Sequence, residues 1–144
     1  MIDYGAGNLR SVQKALLHIG AEVRVVSRPE EINGAAGLVL PGVGAFDDCA
    51  NSLRRQELLD ASLQFMDTGK HFLGICVGYQ VLFERSEEFN SCAAGLGRFE
   101  GDVIRFPDEN GLKVPQIGWN QISYTRDDCP LYRDIPDGSW VYFV

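Results

Sequence analysis

The stretch FLGICVGYQ, Phe72 to Gln80, sets one cysteine, Cys76, between two glycines, Gly74 and Gly78, at the end of an apolar run. A thiolate is a strong nucleophile, so this residue could attack a carbonyl carbon. Gly-x-Cys-x-Gly across a strand-to-helix turn is the thiol counterpart of the nucleophile elbow. The chain turns so sharply there that the residues two before and two after the nucleophile must be nearly free of side chain. A position just before a helix N-terminus also favours thiolate over thiol, because the unpaired N–H groups and the macrodipole point at it. Attack on a carbonyl builds charge on its oxygen, and that charge needs donors. The N–H of Val77 is one. A second is expected from a loop at the end of a neighbouring strand, and the turn from Pro41 to Gly44, PGVG, is placed to give it. Cys49, Cys92 and Cys129 have no such setting and read as structural or surface thiols.

A nucleophile of this kind also needs a base, and the chain holds only two histidines. His18 falls late in the first predicted helix, near its stop. His71 lies five residues before Cys76 in extended chain, about 16 Å away at roughly 3.3 Å per residue. Neither is placed to take the thiol's proton, and both read as surface or packing residues.

The elements that would hold these residues follow from periodicity. Leu9, Val12, Leu16 and Ile19 fall at helical spacing, with Asn8 as N-cap and Gly20 as stop. Strands are expected at 1–4, ending at Tyr4, at 22–26 (EVRVV), at 37–40 (GLVL) and at 72–75, with one helical turn at 29–32. Helices are expected over about 47–68, with a break near Gln56, and from Val77 to about Arg85. Short apolar strands alternating with helices predict an α/β fold, a mostly parallel central sheet flanked by helices. Ligands in such folds collect at the carboxyl ends of the strands, where Cys76 lies. After Ser86 the texture changes. Strand-like segments at 101–106, 112–114, 121–124 and 139–144, separated by Pro, Asp, Asn and Gly, predict added antiparallel or mixed strands in the C-terminal half of one domain, 1–144.

Composition excludes several functions. Thirteen basic against twenty acidic residues give a net charge of −7 with no basic run, which argues against a nucleic-acid or anionic-membrane partner. No apolar stretch approaches membrane-spanning length and no signal-peptide pattern follows Met1, so a cytoplasmic location is expected. The four cysteines show no CxxC spacing and no paired histidine, so neither a disulfide framework nor a metal site is expected. Gly5-Ala6-Gly7 invites a dinucleotide reading, but Arg10 stands where the third glycine of that motif belongs. No cofactor is expected.

Several stretches together resemble the class I glutamine amidotransferases, and among them the glutaminase subunits of imidazole glycerol phosphate synthase. They are IDYGAGNLRSV at 2–12, LPGVGAF at 40–46, FLGICVGYQVLFERSEE at 72–88, GLGRFEGDVIRF at 95–106, GLKVPQIGWNQI at 111–122 and the closing YFV. GICVGYQ alone points only to the superfamily; YGAGNLRSV, PGVGAF and PQIGWN narrow it to the histidine-biosynthesis branch. The resemblance implies that Cys76 attacks the side-chain amide of glutamine, forming a glutamyl thioester that water resolves to glutamate, with release of ammonia. It implies that Val43 and Val77, with Gly42 in the same turn, form the oxyanion site. It further implies that Gly44 and Gln80 hold the glutamine, joined by Glu88, with Glu87 as the alternative register. Ammonia would pass to a synthase (cyclase) subunit in a heterodimer, with Asn8, Gln116, Trp119, Asn120 and Tyr142 at or near the subunit contact.

The pattern departs from that family at both ends. Its members carry several strand residues before IDYG. After YFV they continue with His-Ser-Tyr, and later with the Pro-x-His-Pro-Glu that supplies the triad histidine and glutamate. The expectation is therefore a domain lacking its C-terminal part, without the triad base and without efficient turnover. A non-catalytic binding or regulatory module on the same fold is the alternative. A stand-alone cysteine hydrolase would have no reason to carry Gln80, PGVG and PQIGWN together.

Overall fold

The computed structural model describes residues 1–107, 111, 113–126 and 128–144. They form two compact units, Met1–Arg105 and Phe106–Val144.

In the first unit, α1 (Leu9–His18) starts where the Asn8 side chain accepts from the Ser11 N–H, and it ends just before Gly20, whose φ of +84° only glycine adopts freely. Leu9, Val12 and Leu16 form its half-buried face, while Ile19 caps the helix and lies 77 % exposed, outside the expected apolar stripe. One 3-10 turn follows at Pro29–Ile32. Strand β1 (Gly37–Gly42) is buried along most of its length, as a covered parallel strand must be. Helix α2 (Phe46–Arg55) buries Phe46, Cys49, Ala50 and Leu53, a stripe at positions i, i+3, i+4 and i+7. The expected break near Gln56 falls at Glu57, which takes φ 58° between α2 and α3 (Leu58–Asp67). In α3 the buried Ser62 hydroxyl donates to the Leu58 carbonyl at 2.7 Å, so no buried polar group is left open there. Strand β2 (His71–Cys76) returns beside β1 in parallel, from Gly37 opposite His71 to Gly42 opposite Cys76.

Four expectations for this unit need correction. The segments at 1–4 and 22–26 form no full strands. They meet at a single parallel bridge, Ile2 to Val26, with the Ile2 N–H donating to the Val39 carbonyl at 2.9 Å. The helix after Cys76 is one turn, α4 (Val77–Gln80), and does not run to Arg85. Its continuation is cut because the segment at 95–98 takes the carbonyls that a longer helix would use. Leu96 N–H donates to Val81, Arg98 to Leu82, Gly97 to Phe83 and Gly95 to Glu84, at 2.7 to 3.2 Å. Arg85–Ser86 is instead a short strand, β3, paired in parallel with β4 (Asp102–Val103), which is all that forms of the strand expected at 101–106. This pairing is parallel, within the antiparallel or mixed arrangement expected after Ser86.

The second unit carries an antiparallel pair, β5 (Gly118–Gln121) and β6 (Trp140–Phe143), in the register Trp119 opposite Tyr142. β5 begins three residues earlier than expected. Of the strand expected at 112–114, Leu112 lies outside the described residues, and Lys113 and Val114 are not in a strand. Among the described residues, no helix is long and apolar enough to cross a membrane.

Candidate active site

The parallel register makes the site. Because β1 and β2 end side by side at Gly42 and Cys76, the PGVG turn and the cysteine leave the sheet at one level. Cys76 is exposed and takes φ 55° and ψ −121°, a conformation that costs a residue with a side chain of order 1–3 kcal/mol. That is the strained elbow the glycine spacing predicted.

The glycines are needed for closeness, not only for the turn. A Cβ on Gly78 would stand 1.9 Å from the Leu40 carbonyl oxygen, and one on Gly42 would stand 2.3 Å from the Gly78 nitrogen. A Cβ on Gly74 would meet the Gly78 oxygen at 2.6 Å. α4 therefore packs its backbone directly onto β1 and β2. Because α4 is a four-residue turn, the aligned dipoles expected behind the thiol are those of a single turn.

Val77 and Gln80 open and close α4, with Val77 buried and Gln80 half-buried. Val43 and Gly44 stand exposed just past β1, and Gly44 has φ +100°. Glu88 reaches the same place from beyond β3: its carboxylate accepts from the Phe46 N–H at 3.1 Å, two residues after Gly44 and at the start of α2. Glu88 is thus the acid whose side chain is seen to reach the start of α2, while the Glu87 backbone N–H donates to the Val103 carbonyl. Cys76, Gly42, Val43, Gly44, Val77, Gln80 and Glu88 are thus all carried by the first unit. His71 opens β2 and Cys76 ends it, while His18 ends α1, so neither is brought to the thiol.

The partner-contact expectations divide. Asn8 lies in the first unit, where it caps α1 and stays exposed. Trp119 and Tyr142 form one cross-strand pair in the second, ring centroids 5.6 Å apart and edge to face. Both are more than half exposed. Gln116 precedes β5 and is exposed; Asn120 is exposed too, but strand alternation turns it to the face opposite Trp119.

Sequence reasoning missed the supports beneath the PGVG turn. Tyr4 is fully buried and its hydroxyl donates to the Pro41 carbonyl at 2.7 Å. Cys49, also fully buried, points its thiol at the Val43 carbonyl, 3.7 Å away. Burial, and then the hydrogen bond with Cys49, pushes the Tyr4 phenol far above its ordinary range, so it remains a donor. Burial also raises the Cys49 thiol, which keeps it protonated. A tyrosine in an apolar strand end was the available signal, since a buried phenol needs a partner.

Asp47, in the first turn of α2, ties down the loop after Glu88. Its carboxylate accepts from the Ser91 hydroxyl, from the Cys92 N–H at 3.0 Å and from the Ala93 N–H at 3.2 Å. The Ser91 bond, then the Cys92 bond, hold its pKa below the ordinary 3.8. A carboxyl depressed by folding stabilises the native state above its unfolded pKa, and that contribution is lost as pH falls through the folded value. Asp47→Ala is therefore expected to melt below the parent chain at neutral pH, with the gap closing as both are acidified below 3.8. Melting curves at a series of pH values check this; a gap independent of pH would contradict it. Among the described residues, no three His, Cys, Asp or Glu side chains gather as a metal site requires.

Comparison with known proteins identifies the family. The family model described as "Glutamine amidotransferase class-I" matches residues 1–138. The chain is similar to the imidazole glycerol phosphate synthase subunit HisH of Gloeobacter violaceus, 47 % identical over all 144 residues and 63 % of that relative's length. To the protein of the same name from Methanosarcina mazei it is 51 % identical, again over the whole chain and over 69 % of the relative. The chain thus spans about two thirds of the length of these curated relatives. A crystal structure described as a glutamine amidotransferase superposes with a TM-score of 0.62 at 24 % identity, covering 72 % of this chain and 55 % of that one, which supports the fold. With an elbow cysteine, a glycine turn level with it and a family match across nearly the whole chain, this protein belongs to the class I glutamine amidotransferases.

Proposed function

We propose that the chain carries the glutamine-binding and nucleophilic half of a glutaminase that feeds ammonia to a synthase (cyclase) subunit in histidine biosynthesis, the two forming a heterodimer of imidazole glycerol phosphate synthase. The observation that supports this most is the exposed Cys76 held at φ 55° beside the PGVG turn. In this reading the Cys76 sulfur bonds to the amide carbon of glutamine, and the N–H groups of Val77 and the Gly42–Val43 turn take the charge on the amide oxygen. The carbon–nitrogen bond then breaks, nitrogen leaves as ammonia, and water cleaves the thioester to glutamate. Gly44, Gln80 and Glu88 hold the bound glutamine. Asn8, Gln116, Trp119, Asn120 and Tyr142 belong to the partner contact. Neither His18, at the end of α1, nor His71, at the start of β2, is the proton acceptor for the thiol in this reading.

Covalent capture tests the reading without needing turnover. A chloroketone analogue of glutamine, offered at about pH 9 where an ordinary thiol ionises unaided, is expected to modify Cys76 selectively, with free glutamine slowing the reaction. Peptide mass spectrometry locates the adduct. Equal labelling of Cys76 and Cys92 (both exposed), or no protection by glutamine, would overturn the proposal. The alternative, a non-catalytic binding module, predicts protection by glutamine without faster labelling than a free thiol.

A further inference from the structure

The PGVG turn is held from below by two side chains that the chemistry itself does not use. Tyr4 donates to the Pro41 carbonyl at 2.7 Å and Cys49 approaches the Val43 carbonyl at 3.7 Å. Both side chains are fully buried. The pair is itself anchored. The Tyr4 carbonyl accepts from the Ser52 hydroxyl at 2.7 Å and from the Gln56 amide at 2.8 Å, both carried by α2 or its cap. Cys49 sits on the same helix, between the Glu88 contact at its start and Ser52.

These contacts fix directions. In a trans peptide the carbonyl and the following N–H point opposite ways. A Pro41 carbonyl turned to Tyr4 therefore aims the Gly42 N–H away from it. A Val43 carbonyl turned to Cys49 aims the Gly44 N–H away from the core. The peptide unit between them, which carries the Val43 N–H, is bracketed by two held neighbours.

We infer that Tyr4 and Cys49 are positioning residues for the amidotransferase reaction. By holding the carbonyls of Pro41 and Val43 against the core, they orient the donors of the PGVG turn toward an amide oxygen bound at Cys76. This rests on the amidotransferase reading above. Neither residue touches the substrate. Their effect falls on a carbonyl-bearing ligand and not on the thiol itself.

The test compares two electrophiles on the complete chain. The chloroketone analogue of glutamine presents a carbonyl oxygen to the turn, whereas iodoacetamide alkylates by direct displacement and needs no oxyanion donor. Tyr4→Phe is expected to slow analogue labelling of Cys76 about tenfold or more while changing iodoacetamide labelling less than about twofold. Cys49→Ala is expected to slow the analogue several-fold, and Cys49→Ser, which restores a donor to the Val43 carbonyl, to recover most of that loss. Parallel loss with both reagents marks a merely structural role and overturns the inference, as does an unchanged analogue rate. If Tyr4→Phe does not fold, the Cys49→Ala and Cys49→Ser pair decides alone. A parent chain whose Cys76 shows no preference for the analogue overturns the amidotransferase reading itself, so the two failures are told apart by the parent's own rate.

Discussion

Gly78→Ala is expected to unfold the first unit or to lower its stability by about 3 kcal/mol or more, at the upper end of what overpacking costs. The added carbon would lie 1.9 Å from the Leu40 oxygen, 2.8 Å from the Leu40 carbonyl carbon and 3.0 Å from that of Pro41. All three are backbone atoms of β1, which cannot swing aside as a side chain can. β2 pairs along one edge of β1, and Ile2 donates to Val39 on it. The helix turn would have to lift, and with it the elbow. Gly44→Ala makes the control. Nothing lies within 4 Å of its Cβ position, so only the strain of φ +100° is felt, about 1–2 kcal/mol. Urea unfolding of both variants beside the parent checks the ranking. A Gly78→Ala chain as stable as Gly44→Ala would show that α4 is not packed backbone to backbone.

Cys76→Gly is expected to abolish all covalent capture of the glutamine analogue and yet raise the unfolding midpoint. The two effects have different origins. Capture needs the sulfur. Stability responds to the backbone, because φ 55° with ψ −121° is unfavourable for cysteine and open to glycine. Since Cys76 is exposed, little packing is lost with its side chain. Relief of about 1–3 kcal/mol of strain, less about 0.5–1 for glycine's greater freedom in the unfolded chain, leaves a gain of roughly 1 kcal/mol. Cys76→Val should move the other way, because a β-branched residue tolerates positive φ least. Chemical unfolding decides it: a Cys76→Gly chain less stable than the parent would mean that the elbow is not strained.

Much of this site was legible in the residues themselves. Gly74, Cys76 and Gly78 announce the elbow because steric crowding at a tight turn acts over a few residues and leaves its mark in sequence. The break between α2 and α3 and the caps of α1 are equally local. The length of α4 was not legible. Val77 to Arg85 has a helical pattern, and what ends it is the segment at 95–98 taking its carbonyls, a contact made by residues well down the chain. The same holds for 22–26, whose β-branched residues suit a strand, although among the described residues only Val26 forms a bridge. The bracing of the turn by Tyr4 and Cys49 was hidden for a related reason. Each looks like an ordinary core residue until the fold sets it under the carbonyl of Pro41 or Val43. Glu88 is an intermediate case, since the motif singles out an acid there but only the structure shows which of two neighbours reaches α2.

The register that sets Gly42 beside Cys76 also has a kinetic meaning. Helices α2 and α3 lie between the two strands in the chain and can form from neighbouring residues within microseconds or less. The strand pairing cannot, because it must first close the whole crossover against chain entropy. The cysteine and its glycine turn therefore do not meet until that non-local step is complete. The moment Cys76 stands level with the PGVG turn is the moment the sheet closes, so the onset of selective labelling during refolding would report directly on the slow pairing of β1 with β2.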